Sequence, residues 1–318
     1  YRRSKRLWPT NGRLREDFDM TVDAHDVTID GIISAETYEK LATVNKALNC
    51  DEPLSEWEEL YLGFDLGTTN LKLVAFNEAG QAVNAVLFDS RSSLRDGVIV
   101  DYIAAIEGMR KCLRTLKKRL GCNDITAVGA AAYPPGISQR TAQVCANVVE
   151  ALGLPCMGLY EEPVVAATAL GMQNGAIIDI GGGTTGIAVL QDGEVVYSAD
   201  EPTGGTHVTL VLAGALGISF DEAEKLKRNS TAHKKIFNIT RPVFEKMGVI
   251  ARDHLAKSGF LEKERVIVVG GGANIEGASE VISQVLETKA ILAPFSLIVT
   301  SVGIAECLWR RCHGGHNK

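Results

Sequence analysis

Twice in this chain a buried strand ends in an aspartate and doubles back at once through glycine and threonine. The first copy reads Gly63-Phe64-Asp65-Leu66-Gly67-Thr68-Thr69-Asn70, the second Asp179-Ile180-Gly181-Gly182-Gly183-Thr184-Thr185-Gly186. Glycine lets the backbone of such a turn take φ > 0 and approach a ligand closely. Successive N–H groups there form a concavity that suits phosphate oxygens. The aspartate adds a carboxylate able to hold Mg²⁺, usually through water. Either turn alone reads equally well as a plain hairpin. Two of them in equivalent places of a repeated pattern argue for a shared ligand.

The repeat extends beyond the turns. Strands are expected at Tyr61–Asp65, Leu71–Phe76 and Gln81–Phe88, then a helix from Tyr102 to Leu120. A strand at Ile125–Ala131 runs into the Tyr133-Pro134-Pro135-Gly136 break, after which Ser138 caps a helix to about Leu152. A strand at Met157–Tyr160 and a helix from Pro163 to Leu170 complete this half. The pattern then restarts about 115 residues on, with strands at Ala176–Ile180, Ile187–Gln191 and Glu194–Ala199. Helices at about 206–215, 220–228 and 240–257 follow, then a strand at Arg265–Val269 and helices from Ile275 to Leu286 and Ile298 to Trp309. The expected fold is therefore α/β, with two similar lobes facing one another across a cleft. Residues 1–60 form an N-terminal extension with one helix, Ser34 to Leu48, and the packed body begins near Tyr61. Lobe I spans 61–172, completed by the C-terminal helix 298–310, and lobe II spans 173–297.

A third glycine turn, Gly270-Gly271-Gly272-Ala273-Asn274, lies between a strand and a helix. Its glycines permit close approach of a flat ligand, or only tight strand–helix packing. The chain has neither the G-x-G-x-x-G of a dinucleotide fold nor a G-x-x-x-x-G-K-[ST] P-loop. Composition narrows the choice further. A length of 318 residues suits about two domains. The net charge of −6 offers no basic field for nucleic acid. The longest stretch without charged residues, Pro202 to Phe220, is broken by glycines and too short to span a bilayer. Seven cysteines without a CxxC pair suit a reducing cytoplasm rather than a disulfide framework or zinc site. Residues 1–20 carry Arg2, Arg3, Lys5, Arg6, Arg13 and Arg15 without apolar periodicity and read as a solvated arm, with Met20 a possible start.

Together the three turns resemble the phosphate-1, phosphate-2 and adenosine motifs of the actin/Hsp70/sugar-kinase superfamily. Glu161-Glu162-Pro163-Val164-Val165-Ala166-Ala167 is similar to the connecting helix of Hsp70, and Pro134-Pro135-Gly136-Ile137-Ser138-Gln139-Arg140 to the segment preceding it there. Within the superfamily the chain most resembles the EutJ family, chaperone-like proteins of ethanolamine-utilization operons. That likeness rests on Asp179–Ala188, Tyr197-Ser198-Ala199-Asp200-Glu201, Thr203-Gly204-Gly205, Arg95-Asp96-Gly97-Val98-Ile99 and Pro242-Val243-Phe244-Glu245-Lys246-Met247.

The resemblance implies two ribonuclease-H-like lobes around a nucleotide, with ATP and Mg²⁺ as cofactors. It implies that Gly67, Thr68, Thr69 and Asn70 grip the phosphates from one lobe and Gly181, Gly182, Gly183 and Thr184 from the other. Asp65 and Asp179 would orient hydrated Mg²⁺, and Glu162 the metal shell or the attacking water. Gly204 and Gly205 would lie beside sugar or phosphate, Gly270, Gly271, Gly272, Ala273 and Asn274 along the adenine, and Glu224 and Lys227 on the ribose. The last two stand three apart on one helix face, which an exposed ion pair explains equally well. Lys72 is either a basic group near the phosphates or a solvent-facing strand lysine. His207 reads as a helix cap, and Cys312-His313-Gly314-Gly315-His316 as a tail rather than a metal site. One departure stands out: where Hsp70 and cell-division relatives carry a second carboxylate, this chain has Gly186, which implies slow hydrolysis. The implied partners are ATP or ADP and a protein client or microcompartment enzyme, with no nucleic acid. The alternatives are a sugar-type kinase, which needs an aspartate base that none of Asp89, Asp96 and Asp101 stands out as, and a reactivating factor for a cobalamin-dependent lyase.

Overall fold

The computed structural model describes residues 33–89, 102–260 and 265–314, with the backbone of two short strands at 94–95 and 98–99. The basic stretch 1–20 with Met20, the candidate bases Asp96 and Asp101, and His316 lie outside the described residues. The elements run α1 (Ala35–Ala47), β1 (Leu60–Leu66), β2 (Asn70–Phe76), β3 (Ala82–Asp89), β4 (Leu94–Arg95), β5 (Val98–Ile99), α2 (Tyr102–Arg119), β6 (Ala127–Tyr133), α3 (Gln139–Glu150), β7 (Cys156–Glu161) and α4 (Glu162–Leu170). The second half continues with β8 (Gly175–Ile180), β9 (Thr185–Gln191), β10 (Glu194–Glu201), α5 (Gly205–Leu216), α6 (Phe220–Arg228), α7 (His233–Ser258), β11 (Val266–Val269), α8 (Ala278–Leu286), β12 (Ala290–Leu292) and α9 (Val299–His313).

Two five-stranded sheets result, in the orders β3-β2-β1-β6-β7 and β10-β9-β8-β11-β12. In each, the first three strands form an antiparallel meander and the last two join in parallel. The lobes are thus copies in topology as well as in sequence pattern, and in each the central strand, β1 or β8, ends at a glycine turn. Helices cover both faces of the first sheet, so β1 is buried along its whole length. Alternate side chains sort accordingly. Leu60, Leu62, Phe64 and Leu66 enter the core under α2 and α3, while Tyr61 enters the core shared with α1, α4 and α9. Gly63 supports α9 directly, since a Cβ there would lie 2.6 Å from the Ala305 nitrogen.

The differences from the sequence expectation have local causes. Helix α1, ahead of Tyr61, packs on the body: it buries Leu41, Val44 and Ala47 in the first lobe, and Lys40 pairs with Glu306. Ser34 caps α1, accepting a hydrogen bond from the Thr37 amide. Helix α7 begins seven residues before 240 and runs through Pro242. A proline ends a helix in sequence reasoning, but ten residues of α7 are buried, six of them in the second lobe's hydrophobic core, and hold it together here. Helix α8 begins later than Ile275, after Gly277 at φ 90°. Strand β12 is three residues long, too short to show a period.

Candidate functional site

Both glycine turns sit at the seam between the lobes and touch each other. A Cβ on Gly182 would lie 2.0 Å from Thr69 Oγ1 and 2.7 Å from Thr68 Oγ1. The structure therefore brings Gly67, Thr68, Thr69 and Asn70 together with Gly181, Gly182, Gly183 and Thr184. The first turn is tight, with the Asn70 carbonyl 2.6 Å from a would-be Cβ on Gly67. The second closes through a 2.9 Å bond from the Gly181 N–H to the Thr184 carbonyl.

Several other glycines serve the protein's own backbone. The amides of Gly205 and Thr206 donate to the carbonyls of Gly181 and Gly182 at 2.9 and 2.8 Å, seating the start of α5 on the second turn. Gly204 meets the same turn, with carbonyls 2.8 Å from its absent Cβ. Gly270, at φ 90°, and Gly272 pack on the Ile180 carbonyl, 2.3 and 2.8 Å from their absent Cβ atoms. The second and third turns thus lie side by side, because β8 and β11 pair in parallel with Val269 opposite Asp179. Gly271 meets Leu297, Ala273 is buried, and Asn274 Oδ1 accepts from Ser296 Oγ at 2.6 Å. His207 accepts from the Gly204 amide through Nδ1 at 3.3 Å, which makes it a helix cap.

Acidic groups gather behind the turns. Asp65 is buried and receives Lys72 Nζ at 2.5 Å, the two residues facing each other across β1 and β2. Lys72 therefore points into the site rather than to solvent. Asp179, equally buried, accepts from Thr300 Oγ1 at 2.9 Å. Burial raises its pKa, with Asp65 adding to the shift and Thr300 and Lys72 opposing it. Glu162 begins α4 beside the seam. Enclosure by protein, then the charges of Asp179, Asp65 and Asp200, push its pKa well above the usual carboxylate range, against the pull of Lys72. Asp200, at the end of β10, is held up to about 7, mainly by desolvation and against a hydrogen bond from Thr184. No three His, Cys, Asp or Glu side chains among the described residues are grouped to bind a metal directly.

Glu224 and Lys227 form a buried network, not the exposed pair that spacing alone allows. Lys227 Nζ lies 2.7 Å from Glu224 Oε2, 3.1 Å from the Gly205 carbonyl and 2.9 Å from Thr209 Oγ1. Arg228 Nε binds Glu224 Oε1 at 2.8 Å. Burial opposes ionisation of Glu224, but Lys227, Thr209 and Arg228 together bring its pKa below the ordinary value. Burial lowers the pKa of Lys227, with Glu224 acting against the shift. Arg228 also reaches across to Asp89 of the first lobe, Nη1 to Oδ2 at 3.3 Å. That contact occupies Asp89, the one candidate acceptor base among the described residues.

Sequence reasoning missed Asp200, Thr300 and Ser296. Ser296 arrives from the turn before α9 and Thr300 from the first turn of α9 itself, and neither has a motif around it. Three buried polar atoms at the seam, Thr68 Oγ1, Asn70 Oδ1 and Asp200 Oδ1, have no hydrogen-bond partner. Buried polar groups are ordinarily paired, so these atoms fit a site that receives a polar ligand and its water.

Known proteins resemble this chain in sequence and fold. The cell division protein FtsA family model matches residues 176–304, and the MreB/Mbl family model matches 79–213. The ethanolamine utilization protein EutJ of Salmonella typhimurium is 36% identical over 82% of this chain and 90% of its own length. That of Escherichia coli is 35% identical, covering 84% and 92%. Among solved structures, EutJ from Carboxydothermus hydrogenoformans superposes with a TM-score of 0.78 at 39% identity, over 85% of this chain and 97% of that one. MreB5 of Spiroplasma citri bound to AMPPNP gives a TM-score of 0.66 at 20% identity, over 82% and 100%, a likeness of fold. No helix among the described residues is long and apolar enough to cross a membrane.

Proposed function

The chain belongs to the EutJ family, within the actin-like ATPase fold, and on that premise we propose that it binds ATP with Mg²⁺ between its lobes, hydrolyses it slowly, and couples the exchange to a protein partner of ethanolamine utilization. The observation that carries this reading is the pair of glycine turns, one per lobe, meeting at a seam where Thr68, Asn70 and Asp200 hold unpartnered buried atoms.

The amides of Gly67–Asn70 and Gly182–Thr184 would take phosphate oxygens from opposite sides, with Gly181, whose own N–H closes the turn onto the Thr184 carbonyl, lining the cradle. Mg²⁺, when bound, neutralises phosphate charge. Asp65 and Asp179 would orient its water shell, with Lys72 sharing Asp65 as counter-charge. Glu162 would place the attacking water and take its proton. Positioning and charge neutralisation are nearly all that phosphoryl transfer asks of a protein, and slow turnover follows from Gly186, which places no side chain beside the water. Gly204 and Gly205 would face sugar or phosphate, Glu224 and Lys227 the ribose, and Gly270–Asn274 the adenine. A chaperone-like or assembly role in the cytoplasm, in contact with a microcompartment enzyme, is the partner side of the proposal.

Calorimetry with ATP and Mg²⁺, followed by ADP release with and without small acceptors, tests it. Binding with slow, acceptor-independent release is expected. Absence of binding overturns the reading, and acceptor-dependent ADP release replaces it with a kinase.

A further inference from the structure

We propose that Asp200 is a cation-shell residue, holding water of the Mg²⁺ from the second lobe together with Asp179. This rests on the nucleotide reading above and extends it to a residue to which the sequence motifs assign no role.

The sheet register carries the argument. Gly186 stands opposite Asp179 on one side and opposite Asp200 on the other. Residues directly opposite one another in antiparallel strands point to the same face, so the two carboxylates flank a position with no side chain. The gap is measurable. A Cβ on Gly186 would lie 3.6 Å from Asp200 Oδ1, 3.6 Å from Pro163 Cγ and 3.9 Å from Asp179 Cβ. Pro163 follows Glu162, so the bare glycine opens a space bordered by three acidic residues. The first lobe treats the same place differently: there the residue opposite Asp65 is Lys72, which neutralises it. In the second lobe the position opposite Asp179 has no side chain and the next strand adds another negative charge. Protonation relieves that excess in the nucleotide-free fold, as the raised pKa values of Asp179 and Asp200 record, and a cation from outside would relieve it in the loaded one.

Asp200 is also fixed in place. Its Oδ1 is buried without a partner, while the carboxylate accepts a bond from Thr184 of the second turn. The next residue, Glu201, binds His254 Nε2 at 3.0 Å, and His254 Nδ1 lies 2.6 Å from Tyr197 Oη. The end of β10 is thereby pinned to α7 on both sides of Asp200. A carboxylate with one oxygen anchored to the phosphate turn and the other bare is suited to accept from metal-bound water.

The test is the gain in ATP affinity that Mg²⁺ gives, measured by calorimetry with ATP in Mg²⁺ and in EDTA, on the full chain and on Asp200→Asn. Loss of an outer-shell ligand costs about 10-fold or more in metal affinity. The expected result is a gain reduced by about that factor, with affinity for metal-free ATP unchanged or tighter. An undiminished gain overturns the proposal, as does equal loss of metal-free binding, which assigns Asp200 a structural role. Should Asp200→Asn fail to fold, Asp200→Ser, which keeps an oxygen for Thr184, takes its place. If the unaltered protein binds no ATP, the nucleotide reading falls and this proposal with it. If it binds and the variant matches it, only this proposal falls.

Discussion

At the scale of residues, the site is defined by carboxylates in protein with few cations to balance them. Glu162, Asp179 and Asp200 all keep their protons to higher pH in the folded chain than unfolded, where carboxyls ionise near 4. Between about pH 4 and 7 the folded state therefore binds more protons, and stability falls as pH rises through that window. Melting of the nucleotide-free protein should move to lower temperature from pH 5 to pH 8. Asp200→Asn should flatten the part of the curve that ends near 7, and a melting temperature that climbs across the window contradicts this. Glu162 makes a second prediction. If it takes the proton of the attacking water, Glu162→Gln slows single-turnover hydrolysis by about 10²–10⁴-fold and leaves ATP affinity nearly unchanged. Hydrolysis at the unaltered rate removes Glu162 from the mechanism.

At the scale of elements, the helices α4 and α9 carry the connection between lobes. They cross with backbone against backbone, since a Cβ on Gly303 would lie 1.8 Å from the Val165 carbonyl oxygen. Relief requires the helices to part. Gly303→Ala should cost about 1–3 kcal/mol or more, read as a lower midpoint in denaturant, and an unchanged midpoint contradicts the crossing. Much of this scale was legible beforehand, because strand meanders, turn glycines and Ser caps are local signals. The two aspartates and both turns could be named for that reason. Lys72 could not be decided, since its direction depends on which residue faces it across β1. Asp200 lies in the Tyr197–Glu201 stretch that carries the family likeness, but nothing in that stretch marks it as a site residue. Its meaning comes from Gly186, on the neighbouring strand, and that pairing exists only in the sheet. Thr300 and Ser296 are brought in by the chain's return from lobe II, and the spacing of Glu224 and Lys227 was readable while their burial was not.

At the scale of the whole molecule, the two lobes repeat one topology and present matching turns to a common seam. Arg228 and Asp89 bridge the lobes, each about one-third exposed, and such a pair is worth at most about 1 kcal/mol. The lobes are thus weakly latched by charge at that point, and a ligand gripped by both turns would supply most of the further closure. A ligand shifts such an equilibrium only by its differential affinity for the two arrangements, so the partner would sense nucleotide through the relative position of the lobes. Hydrogen exchange at the amides of Gly67–Asn70 and Gly182–Thr184, with and without ATP and Mg²⁺, measures that grip directly. Protection rising at both turns together is the expected result. Protection confined to one turn, or absent from both while nucleotide is bound, contradicts the account.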